Sequence, residues 1–193
     1  MLFAVTGANG FIACNLVKSL VASGHRVVGT VRDASKDGAH LESLGATVVE
    51  VKSLTDVEAL AAAFAGADGV FHMAAVHPEY GFADTPEGRE GILACAVDGT
   101  VSVLRATKQA GVARVVLTSS LAAIECGNDE GTLSESTWSR AEVYDSAEKL
   151  SKTQWATHYT CASARPSARA SARASARPAA RPAVRATTRA APF

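Results

Sequence analysis

Apolar residues gather in five short runs, at positions 2–5, 25–31, 47–51, 69–74 and 114–118, each with the length and β-branched content of a buried strand. Between them the period lengthens. Phe11, Ile12, Leu16, Val17 and Leu20 recur near helical spacing until Ser23 and Gly24 end the run, and residues 57–64 and 92–110 are Ala-rich helical stretches. Five strands alternating with helices predict an α/β fold, a doubly wound parallel sheet with helices on both faces and right-handed crossovers. In such sheets ligands sit at the carboxyl ends of the strands. Those ends carry Gly7, Arg32, Ser53, Ala74, Ala75, Ser119 and Ser120.

From Cys161 the pattern stops. Seven arginines recur every fourth residue, from Arg165 to Arg189, among Ala, Ser and Pro, with no acidic residue or lysine. Pro166, Pro178, Pro182 and Pro192 interrupt any helix, so residues 161–193 are expected to be a disordered, low-complexity tail to a domain formed by residues 1–160. The abrupt change at Cys161 is what a shifted reading frame in GC-rich DNA gives. The formal net charge of zero hides the division, because without those seven arginines residues 1–160 carry −7. The arginines offer salt-sensitive attraction to nucleic acid, but the acidic domain opposes it, and nucleic acid is set aside as a partner.

With 48% hydrophobic and 20% charged residues the balance is that of an ordinary globular domain, and no apolar stretch approaches the roughly 20 residues that span a bilayer. A cytoplasmic protein without membrane contact is the expectation. Cys14, Cys95, Cys126 and Cys161 form no CxxC pair and no metal-ligand spacing, which implies reduced thiols and no metal.

The most informative stretch is Val5-Thr6-Gly7-Ala8-Asn9-Gly10-Phe11-Ile12-Ala13, which closes the first strand and opens the first helix. Gly7 permits a tight turn, Gly10 removes a side chain where phosphates approach, and small Ala13 lets the helix lie close to the sheet. The free amides at the helix start then face an anion, the arrangement of a dinucleotide pyrophosphate site. Arg32 closes the second strand, where such folds meet the adenosine ribose. A guanidinium there clamps a 2′-phosphate, so NADP(H) is favoured, while the adjacent Asp33 leaves NAD(H) open. Lys36 assists Arg32.

Together with Gly29-Thr30-Val31-Arg32-Asp33, Phe71-His72-Met73-Ala74-Ala75, Ala96-Val97-Asp98-Gly99-Thr100 and Val115-Val116-Leu117-Thr118-Ser119-Ser120, these residues resemble the extended short-chain dehydrogenase/reductase family. Within it they are similar to the branch of dihydroflavonol and cinnamoyl-CoA reductases, over residues 1–159. The resemblance implies a Rossmann-type NAD(P)-binding domain that reduces a small-molecule carbonyl to an alcohol by hydride transfer. Its cofactor contacts fall on Thr6, Gly7, Asn9, Gly10, Phe11, Ile12, Arg32, Lys36, Ser53, Leu54, Ala74, Ala75 and Lys152, with Ser53-Leu54 standing where relatives often have Asp-Leu beside adenine. It also implies that Ser120 hydrogen-bonds the substrate oxygen and that Lys152, within Ser151-Lys152-Thr153, supports a tyrosine four residues earlier.

That tyrosine is missing, and position 148 is Glu148. Keeping a carboxyl protonated at neutral pH requires a pKa rise of nearly three units, roughly 4 kcal/mol, and a neighbouring Lys152 pushes the other way. Tyr144 is the substitute, but eight helical residues separate it from Lys152 by roughly 12 Å along the axis, so it can act only from a loop preceding the helix. Extended members also carry a substrate domain after the lysine helix, and here the arginine tail stands in its place. The expectation is therefore a reductase impaired by loss of the tyrosine and of that domain, with a non-catalytic NAD(P)-binding sensor or interaction protein as the alternative. His77, Pro78, Tyr80 and Phe82 form a connecting loop or line what remains of the pocket. His72, inside an apolar strand, reads as a satisfied core histidine. Family members pair through helices corresponding to 92–110 and the region of Lys152, which leaves a homodimer open.

Overall fold

The computed structural model describes residues 1–75, 86–121, 124, 131–134 and 137–138, with residues 86–95 described as backbone. Its elements in chain order are β1 (Leu2–Thr6), α1 (Phe11–Ala22), β2 (Arg26–Val31), α2 (Ala34–Ser43), β3 (Thr47–Glu50), α3 (Val57–Ala63), β4 (Gly69–His72), α4 (Pro86–Gln109) and β5 (Val115–Leu117). All five strands pair in parallel, in the order β3-β2-β1-β4-β5. The order reverses direction at β1, which makes the carboxyl ends of β1 and β4 the topological switch point.

Two apolar cores cover the two faces. Alternation along β1 sends Ala4 to one and Val5 to the other. Ala4, Val51, Leu60, Phe64, Val70, Val103 and Ala106 join the sheet to α3 and α4. Val5, Ala8, Ala13, Val17, Val27, Val31 and Leu41 join it to α1 and α2. The doubly wound sheet with helices on both faces is thus present as its hydrophobic pattern required.

Three local differences are instructive. The helix α2 gives little periodic signal, since Gly38 and Leu41 are its only buried residues; Asp33 starts it by accepting the Ser35 amide. The fourth strand ends at His72 and not at 74, because the amides of Met73 and Ala74 leave the ladder and donate to Thr6 Oγ1, each at 3.2 Å. Phe11 and Ile12 fit the helical period but lie off the buried stripe of Ala13 and Val17, at 86% and 64% exposed. Among the described residues no helix is long and apolar enough to cross a membrane.

Candidate functional site

The turn between β1 and α1 requires glycine at its first position. Gly7 has φ +62°, a region that L side chains rarely adopt, and a Cβ on it would stand 2.8 Å from Ala74 Cα. The exit of β4 is therefore seated directly on the turn. Gly10 has an ordinary backbone, yet a Cβ there would meet the Gly7 carbonyl oxygen at 3.2 Å, the same oxygen that accepts the Gly10 amide. Beneath the turn, Ala8 donates its amide to Thr30 of β2, and Gly29 lies so close that a Cβ on it would reach Ala8 Cβ at 2.7 Å. A glycine inside an apolar strand is the signal of such an approach, and Gly29 packs beneath the turn that Gly7 opens although the turn motif does not include it.

At the start of α1 the first amide with an intrahelical acceptor is that of Cys14, which bonds Gly10. The amides of Phe11, Ile12 and Ala13 precede it, and no side chain caps this end or places a carboxylate in its first turn. By contrast α2 and α3 are capped by Asp33 and Asp56. The glycine turn thus leads into amides and a positive helix end directed at open space, an arrangement suited to a diphosphate.

Around this centre the other strand ends are arranged as follows. Arg32 is exposed and takes part in neither of the ion pairs among the described residues. Asp33, by contrast, is committed: its carboxylate accepts from the Ser35 amide and hydroxyl and pairs with Lys36 at 3.3 Å. The Ser35 hydrogen bond, opposed by desolvation and helped by Lys36, holds its pKa below the usual carboxylate value. Asn9 donates its side-chain amide to Asp37 of α2 at 2.9 Å, tying the turn to the segment that carries Arg32 and Lys36. Ser53 is occupied locally, accepting the Thr55 amide and sharing a hydrogen bond with the Thr55 hydroxyl. Leu54 packs against α4 beside Gly99.

His72 is 3% exposed at the end of β4, and its Nδ1 lies 2.8 Å from Thr6 Oγ1. Burial pushes its pKa down to about 4, so the ring is neutral at physiological pH. Ser119 and Ser120 follow β5 and are exposed, and the preceding Thr118 links β5 to β4 through its amide to the His72 carbonyl. Thr6, Gly7, Asn9, Gly10, Phe11, Ile12, Ala74 and Ala75 thus share the β1 and β4 exits. Arg32 and Lys36 flank them on the β2 side. Tyr144, Glu148, Lys152 and Tyr159, the loop of His77, Pro78, Tyr80 and Phe82, and residues 161–193 lie outside the described residues. The free amides at the helix start were expected from the glycine motif, whereas Gly29 beneath the turn and the commitment of Asp33 lie outside it, and of these two only Gly29 had a sequence signal.

A parallel sheet with this strand order, a left-handed glycine at its switch point and an uncapped helix after it defines a dinucleotide-binding domain of the Rossmann type. Comparison with known proteins carries the classification further. A family model described as NAD(P)H-binding matches residues 7–164, and the chain belongs to that family, within the extended short-chain dehydrogenase/reductase group. It is 35% identical over 157 residues to cinnamoyl-CoA reductase 1 of Oryza sativa subsp. japonica, covering 77% of this chain and 44% of that protein. To an anthocyanidin reductase of Vitis vinifera it is 38% identical over 152 residues, covering 74% and 44%. Among solved structures, the yeast methylglyoxal/isovaleraldehyde reductase complexed with NADPH is similar with a TM-score of 0.68 and 26% identity, over 91% of this chain and 54% of that one. Vestitone reductase from alfalfa gives 0.63 and 27%, over 82% and 49%. The chain spans 44% of the length of these two curated relatives.

Proposed function

We propose that residues 1–160 form an NADP(H)-binding reductase domain directed at a small-molecule carbonyl, with catalysis weakened by Glu148 at the tyrosine position. The observation that carries this reading is the first turn of α1. Among the described residues the amides of Phe11, Ile12 and Ala13 have no protein acceptor, the turn itself carries no carboxylate, and the apolar side chains of Phe11 and Ile12 are left in the open next to them. A Cβ at Gly7 would fill part of the same cradle. These residues fit a diphosphate-linked nucleotide.

In this reading the amides of Phe11, Ile12 and Ala13 receive the diphosphate, Gly7 and Gly10 keep the approach clear, and Ala74 and Ala75 line the β4 side. The preference for NADP(H) over NAD(H) follows from the division of labour at the β2 exit. A ribose hydroxyl would be selected by a carboxylate, and Asp33 is already spent on capping α2, whereas the Arg32 guanidinium has no ion-pair partner among the described residues and Lys36 stands one turn away. The bound cofactor would supply the hydride. Ser120 then orients the substrate carbonyl by donating to its oxygen, and Lys152 holds the nicotinamide end. The remaining requirement is a proton for the developing alkoxide, which an ionised Glu148 cannot give and which falls to Tyr144.

The loss of the tyrosine also supports a second reading, an NAD(P)-binding sensor that does not turn over. Fluorescence titration of the full chain tests the shared part of both. NADPH is expected to bind more tightly than NADH, and Arg32→Ser is expected to weaken NADPH by about tenfold to a hundredfold while leaving NADH unchanged, as loss of charge-assisted hydrogen bonds predicts. No binding of either nucleotide overturns the proposal. NADPH consumption that depends on an added aldehyde separates the reductase from the sensor.

A further inference from the structure

The buried pair beneath the turn is not described by the glycine motif. Thr6 Oγ1 meets His72 Nδ1 at 2.8 Å and accepts the amides of Met73 and Ala74. A hydroxyl has two lone pairs and one hydrogen. The amides take the lone pairs, so the hydrogen is directed at Nδ1, which must be bare, and the ring proton resides on Nε2. That nitrogen faces Thr100 Oγ1 of α4 at 3.3 Å. Every polar atom of the ring is matched in one tautomer and one orientation.

We propose that His72 is a positioning residue for the nucleotide turn: its ring couples Thr100 on α4 to Thr6 under Gly7, so the fourth helix sets the spacing of the β1 and β4 exits. The inference rests on the dinucleotide reading and adds residues that do not themselves touch the nucleotide. Three contacts make the coupling direct. The Ala74 amide is held by the same Thr6 oxygen that faces His72, Ala74 Cα lies where a Gly7 side chain would be, and Gly99, next to Thr100, packs on Leu54 at the β3 exit. Displacement of α4 at Thr100 therefore reaches the turn through one side chain, and the Leu54 contact registers the same helix against the adenine side.

Imidazole nitrogen NMR on the full chain, together with Thr100→Val and Thr100→Ser, tests this. The parent is expected to show a neutral His72 ring protonated on Nε2; a ring protonated on Nδ1 overturns the coupling, and this measurement needs no variant to fold. Thr100→Val removes the acceptor, and NADPH affinity is expected to fall about threefold to tenfold, the effect of one net hydrogen bond, with Thr100→Ser restoring it. A Thr100→Val protein that loses thermal stability but keeps the parental Kd shows a merely structural role and refutes the inference. A parent that binds no NADPH while showing the Nε2 tautomer refutes the functional proposal instead.

Discussion

Gly7→Ala is expected to lower unfolding stability by about 2–5 kcal/mol and to abolish measurable NADPH binding. Two effects add. A non-glycine residue at a left-handed φ costs about 1–2 kcal/mol, and forcing a methyl group into a packed contact costs about 1–3 kcal/mol more. The second applies because the new Cβ would stand 2.8 Å from Ala74 Cα, a backbone atom that can yield only if the β4 exit moves. That movement strains the two amide bonds on Thr6 and alters the direction of the amides entering α1. Gly24→Ala is the control. Gly24 also has positive φ, at +80°, but nothing lies within 4 Å of its missing Cβ, so only the backbone cost of about 1–2 kcal/mol is expected, with the NADPH Kd unchanged. Urea unfolding of the two variants separates strain from crowding, and equal losses contradict the close approach.

Acid is expected to destabilise the protein through His72 in a defined window. The imidazole has an ordinary pKa of 6.5 and about 4 in the folded state, so between these values the unfolded chain binds a proton that the native one refuses. Stability is complete above 6.5 and falls as pH drops through the interval, by up to about 3 kcal/mol, with no further loss from this group below about 4. The cause is desolvation: the ring is 3% exposed at the end of β4, where a charged imidazolium loses its water. Subtracting the pH profile of His72→Gln from that of the parent isolates this histidine from the carboxylates that titrate nearby. A difference profile that is flat from 6.5 to 4 contradicts the assignment.

The fold was legible because its strands announce themselves as short apolar runs, deeply buried at the centre of the sheet in β1, β2 and β4, as at Val5, Val27 and Val70. The second helix was not, since two buried residues and a mostly exposed remainder leave no stripe to read, and its start depends on what Asp33 does with its carboxylate. The same residue shows why the chemistry of the β2 exit is only half visible in sequence. An aspartate after β2 reads as a ribose acceptor until its bonds to Ser35 and Lys36 are seen. At the turn, the glycine spacing marked Gly7 and Gly10, where a Cβ would crowd Ala74 and the Gly7 carbonyl, but Phe11 and Ile12 satisfied a helical period while lying outside the core. Periodicity counts apolar residues without knowing which face a ligand would cover. The Thr6, His72 and Thr100 alignment was invisible for another reason: its partners are 66 and 28 residues apart, and it takes the β1–β4 register to set Thr6 beside His72 and the packing of α4 to bring Thr100 to the same ring.

The claim on which the rest depends is that the first turn of α1 receives the dinucleotide diphosphate. Amide NMR of the isotope-labelled full chain, titrated with NADPH, tests it at the atoms concerned. Saturating shifts are expected at Gly7 and at Gly10, Phe11, Ile12 and Ala13, with smaller ones at Arg32 and Ala74. Perturbation elsewhere with those resonances unmoved, or no perturbation at all, contradicts it.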